Sequence, residues 1–299
     1  MKISKGILYG IGAYLCWGLF PLYWKMLHDV AALQLLGHRI AWSFVLLLAV
    51  IFLRKEWPAL RAAMSVPRTL LIYGVAALLI GVNWGTYVWA VNAGHIVETS
   101  LGYFINPLVS VMFGVIFFRE RLRPFQWLPV GLAAIGVLYL AYEFGSPPWI
   151  ALTLAGSFGL YGLVKKLSPL NSLHGLTLET GALFLPALIY LSYEAVTGAG
   201  AFGQISLGSD LLLIGAGVVT TIPLLMFTSA ARSIPLSMLG ILQYIAPTMQ
   251  FFLGVLVYRE PFSQTQLIGF SIVWFALIVF TVEGLISRRN TPVIMAPAD

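Results

Sequence analysis

The chain has 299 residues, of which 60% are hydrophobic and 9% charged, and its mean hydropathy is +0.91. Soluble domains carry about 25% charged residues, so this composition excludes a soluble globular protein and marks an integral membrane protein. The formal net charge of +6 comes without a basic helix or basic–aromatic interleaving, so it points to loop orientation and away from nucleic acid.

Apolar runs of about 17–25 residues suffice to cross a bilayer, and in chain order they fall at 6–24, 32–53, 69–92, 97–118, 125–143, 149–165, 175–196, 211–230, 235–257 and 265–285. They predict an all-α membrane protein with ten transmembrane helices. The first run follows a basic start resembling a signal n-region. It is rich in Trp and Tyr, contains Pro21 and lacks a small-x-small cleavage site, so it is expected to stay on as a helix. It also holds Cys16, the single cysteine, which leaves no intrachain disulfide and no Cys-based metal site. Gly6 with Gly10, and Gly81 with Gly85, have the small-xxx-small spacing of packed membrane helices. In the second run His38 and Arg39 stand side by side. A cation at bilayer depth costs about 2.5–3.5 kcal/mol on insertion scales, so Arg39 needs a partner, a watery cavity or a task.

With the N-terminus inside, every Lys and Arg except Lys25, Arg39 and Arg259 falls on the inner side, Lys165 and Lys166 included. The positive-inside rule then predicts cytoplasmic termini and an external loop from Glu143 to Pro148. The tail from residue 288 is expected to be disordered.

Two stretches carry the main functional clue. INPLVSVMFGVIFFRERLRPFQ, ending at Gln126, and IAPTMQFFLGVLVYREPFSQTQ, ending at Gln266, align at a constant offset of 140. The offset pairs Pro107 with Pro247, Gly114 with Gly254, Arg119 with Arg259 and Glu120 with Glu260. Residues 1–145 and 146–287 are thereby two five-helix units, followed by the tail 288–299. Five is odd, so the second unit enters the membrane from the opposite side and the repeat is inverted, the usual basis of alternating access around a site near mid-membrane.

NWGTYVWAVNAGHIVETSLGYFINPLVSVMFGVIFFRERLRP, with LLGHRIAWS and LGILQYIAPT, resembles the RarD branch of the EamA family, in the drug/metabolite transporter superfamily. The resemblance covers nearly the whole chain. It implies ten helices in two EamA-like units, an inner-membrane permease and a drug or metabolite exporter, tied by name to chloramphenicol sensitivity.

Within the spans, Tyr103, Pro107, Ser110 and Gly114 share one face of the fourth helix, and the offset puts Gln243, Pro247, Gln250 and Gly254 on the matching face of the ninth. Such stripes either face a wet cavity or serve as interhelical glue. Asn83 and Tyr87 share a face of the third span beside Trp84, Trp17 neighbours a face of the first, and Thr220 and Thr221 lie mid-span in the eighth. A substrate pocket of Trp17, Asn83, Trp84, Tyr87, Tyr103, Asn106, Gln243, Tyr244 and Gln250 combines flat apolar faces with amide and phenol groups, the usual mix of a small-molecule site. It suits a small amphipathic metabolite or drug.

Arg39 and Glu98 are expected at one outer level, and Glu179 and Arg232 at one inner level, a charge-swapped copy of the same arrangement. Either these pairs are gates, or they are fixed structural pairs, or Arg39 clamps an anionic substrate. His38 is a candidate for a titrating role or for a hydrogen-bonded interior histidine. A proton is the candidate coupling ion, through Glu98 and Glu179. The four histidines stand far apart without a carboxylate cluster or an H-E-x-x-H motif, so neither a metal site nor an enzyme is expected. No Walker A motif is present and no cofactor is implied. A monomeric carrier, partnered by substrate and lipid, is favoured over a channel built from several subunits.

Overall fold

In hydrocarbon a backbone must satisfy its own N–H and C=O groups, as helices or as a closed barrel. The computed structural model describes residues 4–93, 95–144, 148–259 and 264–289, and among them only helices, turns and connecting segments occur. The helices are α1 (Lys5–Lys25), α2 (Ala32–Leu53), α3 (Trp57–Met64), α4 (Pro67–Asn92), α5 (Ile96–Phe118), α6 (Trp127–Phe144), α7 (Trp149–Leu167), α8 (Ser172–Val196), α9 (Leu207–Ser233), α10 (Leu236–Gln243), α11 (Ile245–Phe252) and α12 (Gln264–Arg289). Eight spans are long and apolar enough to cross a membrane, one of them built from α10, α11 and a π-helical turn, Leu253–Val257. Two further apolar helical stretches, Pro124–Tyr139 and Leu267–Phe280, are shorter.

Local chemistry accounts for many of the boundaries. The side chains of Ser4, Asn171 and Ser206 accept backbone N–H groups at the starts of α1, α8 and α9, and prolines stand in the first turns of α3 and α4, where no intrahelical donor is lost. Between α10 and α11 the helix breaks at Tyr244, because Pro247 has no N–H to give to the Gln243 carbonyl. Two features differ from the sequence expectation. Residues 57–64 form a helix on which Trp57 stacks against Phe52 at 5.1 Å and Leu60 is buried; eight residues are too few for the hydropathy of a span. Helix α12 continues through Arg289, so the expected tail begins inside a helix; residues 290–299, and 145–147 of the expected outer loop, lie outside the described residues.

Large apolar side chains such as Leu71, Leu78, Leu138, Ile189 and Leu211 point outward, as befits a lipid solvent. The principal core joins α1, α4, α7, α9 and α10 through an aromatic cluster in which Phe227 meets Tyr161 at 5.9 Å, Phe158 at 5.2 Å and Trp17 at 5.6 Å. A second core packs α5 and α6 against α12 around Tyr244. One end of the bundle gathers the contacts of Lys25 with Tyr258, Trp89 with Trp149 and Gln34 with Ala201. The other gathers His174 with Glu56, Lys166 with Ile234 and Arg123 with Glu283. Exposed basic residues crowd the second end, including Arg54, Arg61, Arg68, Arg119, Arg121 and Arg232.

Glycines set the closest approaches. A Cβ on Gly6 would meet Ile234 and Ser233 at 2.7 Å, and one on Gly10 would meet Leu242 at 3.0 Å, so this pair packs α1 against α9 and α10. Of the other pair, Gly81 faces Leu183 while Gly85 has open space. At Gly217 a Cβ would lie 2.6 Å from the Trp42 carbonyl carbon, and Ser43 Oγ donates to the Gly217 carbonyl at 3.1 Å. Backbone cannot swing aside as a side chain does. Gly217→Ala is therefore expected to lower stability by about 1–3 kcal/mol, whereas Gly74→Ala, with nothing within 4 Å, is expected to leave it unchanged; thermal unfolding of the purified variants in one detergent compares them.

Candidate functional site

Four helices deliver side chains to Arg39. The residue is half-buried on α2, and its Nε–H donates to Thr220 Oγ1 of α9 at 3.0 Å. Its guanidinium carbon lies 4.8 Å from the Trp24 ring centre and 5.9 Å from that of Phe20, both on α1, and 5.0 Å from that of Trp84 on α4. Aromatic faces at these distances attract a cation through the ring quadrupole. Tyr87 of α4 and Tyr103 of α5 meet edge to face at 5.9 Å, and both lie within electrostatic reach of Arg39. Tyr87 is exposed to a solvent-sized probe. Arg39 thus sits in an aromatic cage with two phenols nearby.

The remaining sequence candidates distribute around this cage. Trp17 belongs to the aromatic cluster at Phe227, and its carbonyl accepts from Gln250 Nε2 at 3.0 Å. Asn83 Nδ2 donates to the Leu154 carbonyl and to Ser157 Oγ, tying α4 to α7. Gln243 Oε1 accepts from Ser110 Oγ at 3.4 Å. Asn106 is buried, and its Oδ1 has no hydrogen-bond partner. Tyr244 is turned into the second core, where its hydroxyl donates to the Phe104 carbonyl at 3.4 Å. Trp84, Tyr87 and Tyr103 are therefore the members of the expected pocket brought to Arg39, while Asn83, Gln243, Gln250 and Tyr244 bond to backbone or side chains of neighbouring helices. His38 is buried and stacks on Phe202 at 5.4 Å.

Neither expected charge pair forms. Glu98 is buried, and its Oε1 accepts the Ile150 N–H at 2.8 Å. That N–H is among the unpaired donors opening α7, where a carboxylate also meets the positive end of the helix dipole. Glu179 pairs with Lys165 at 2.6 Å and accepts from the Tyr161 hydroxyl at 3.0 Å; the two charged side chains are 1% and 0% exposed. Lys165, expected among the inner loop charges, instead turns into the bundle beside the Tyr73 and Tyr161 rings, and Arg232 is exposed.

Sequence reasoning missed Lys165, whose only signal was the doubled Lys165–Lys166 at a span end. It also missed Gln34, which is buried and holds Ala199 and Ala201 of the α8–α9 connection. The role of Glu120 escaped it too. The Glu120 carboxylate accepts the N–H groups of Leu236 and Ser237 at 2.7 and 2.9 Å and so caps α10 from the far side of the sequence. A cavity of about 370 Å³ lies between α2, α3, α4 and α8, lined by Phe44, Trp57, Leu60, Tyr73 and Thr177 among others. Among the described residues no group of three His, Cys, Asp or Glu side chains could hold a metal ion.

A helical bundle with apolar outer faces marks a membrane protein, and comparison with known proteins gives its class, a membrane transporter. The profile of the EamA-like transporter family matches residues 4–142. A protein named RarD from Streptomyces exfoliatus is 48% identical over 286 residues, covering 96% of this chain and 91% of that protein. A Bacillus subtilis protein named as the uncharacterized transporter YojE is 48% identical over 293 residues, covering 96% and 97%. A solved crystal structure superposes with a TM-score of 0.70 over 96% of this chain and all of the other, at 19% identity, which speaks for the fold alone. The chain belongs to the EamA-like transporter family, in its RarD branch.

Breaking a buried ion pair strands a charge, at about 3–5 kcal/mol. Lys165→Met is expected to destabilise the protein on that scale, and Lys165→Met with Glu179→Met to recover most of the loss; thermal unfolding of wild type, the two single variants and the double variant completes the cycle.

Proposed function

We propose that this protein is a secondary carrier that moves small amphipathic organic molecules across the bacterial inner membrane by alternating access between two inverted five-helix units. The observation that carries it is a contact between repeat equivalents: Phe104 and Tyr244, related by the offset of 140, touch each other through the Tyr244 hydroxyl and the Phe104 carbonyl. Equivalent residues meet only near a two-fold axis, so this contact supports an axis between α5 and α10–α11. Arg119 and Arg259, also equivalent, both adopt left-handed backbone, with φ of 52° and 55°. Around such an axis the two units exchange roles, and a site between them faces one side of the membrane and then the other. The Arg39 cage draws on both units, since Thr220 comes from the second.

Ten crossings, including the two shorter apolar helices, go with this reading, as do cytoplasmic termini at the basic end of the bundle. Export follows the family resemblance, while gradients set the sign of flux through any such carrier.

Two measurements test the proposal. In a Cys16→Ser background, single cysteines at positions 61 and 121 are expected to react with a membrane-impermeant reagent from the cytoplasmic side and one at 259 from the outside; labelling of 121 and 259 from one side would remove the inverted repeat. In proteoliposomes, saturable counterflow of a solute selected by thermal-shift screening of metabolites and amphenicols is expected. Ion currents in place of counterflow would argue for a channel.

A further inference from the structure

Resting on the carrier reading above, we infer that the cargo is a small organic monoanion, a carboxylate on an apolar body, and that Arg39 grips it inside the aromatic cage. A guanidinium offers five N–H donors in a planar fork. Among the described residues Arg39 uses one, the Nε–H to Thr220, leaving its two terminal NH₂ groups without a protein acceptor.

Among the described residues no carboxylate supplies the missing charge. Of the described acidic residues on the same half of the bundle, Asp29 pairs with His28, Glu98 caps α7, Glu194 accepts from Gln34 and Asp210 accepts the Gly203 N–H. The three rings offset part of the cost of a cation held among helices, but their attraction is that of a quadrupole and weaker than that of a desolvated counter-charge. Two open N–H groups in a fork match the two oxygens of a carboxylate.

The same geometry limits the cargo. A single cation balances a single negative charge, and a phosphate monoester brings nearly two, so dianions leave charge unbalanced in a low-dielectric site. Trp24, Trp84 and Phe20 offer flat apolar surface to the remainder of the molecule, and Tyr87 and Tyr103 stand near the same cation. Thr220 fixes the guanidinium orientation from the opposite side.

The test is a thermal-shift comparison on the purified full chain in chloride-free buffer. Benzoate, phenylacetate and hexanoate are each set beside their primary amide, with phenyl phosphate as the dianion. At least one acid is expected to raise Tm while its amide and phenyl phosphate do not. Arg39→Gln is expected to weaken that acid about tenfold or more, the size of a lost charge-assisted hydrogen bond, and Arg39→Lys to retain part of the effect. Acids and amides stabilising alike, no acid stabilising, or an acid effect surviving Arg39→Gln would each overturn the inference. Because loss of Arg39 can itself unfold the protein, the acid–amide contrast is read on wild type. Counterflow then separates the two levels: an acid that binds through Arg39 without exchanging across proteoliposomes sinks the carrier and spares the inference, and exchange of amides but not acids does the reverse.

Discussion

Hydrocarbon has nothing to offer a polar group, and much of this bundle follows from that. Wherever a helix begins in the interior, or a charge lies within it, the partner comes from another helix: Glu98 for the first turn of α7, Glu120 for the first turn of α10, Lys165 and Tyr161 for Glu179. The same need ties Asn83 to the Leu154 carbonyl and Gln250 to that of Trp17. These contacts cost little compared with leaving the groups unpaired, and they fix which helices are neighbours.

Arg39 is held differently. Among the described residues the carboxylates Glu98 and Glu179 and the ammonium of Lys165 have an ionic or backbone partner in hand, whereas Arg39 has one hydroxyl and three rings. Its remaining donors are what the proposed cargo would satisfy.

Eight of the ten expected spans were legible in the sequence because hydropathy is additive along a chain and lipid reads it one helix at a time. The partners were not. Arg39 and Glu98 were matched by level in the membrane, yet Arg39 faces α1, α4 and α9 while Glu98 faces α7, and helix rotation about its axis is set by packing that no local pattern encodes. Lys165 adjoins Lys166 and looks like the same interfacial cluster; the 100° between successive residues sends one inward to Glu179 and lets the other reach Ile234 at the helix end. Tyr244 was expected in the substrate pocket, but it packs in the second core with α6 and α12.

The two stretches matched by the offset of 140 differ in helical continuity. Helix α5 runs unbroken from Ile96 to Phe118 despite Pro107, while its counterpart is divided at Tyr244 and ends in a π-helical turn, Leu253–Val257. A wider turn holds its hydrogen bonds less evenly and bends at lower cost. In the proposed cycle, where the two units exchange roles, that break and turn would let the second arm bend more readily than the first, so the two end states would not be mirror images in energy even where the sequences of the arms agree.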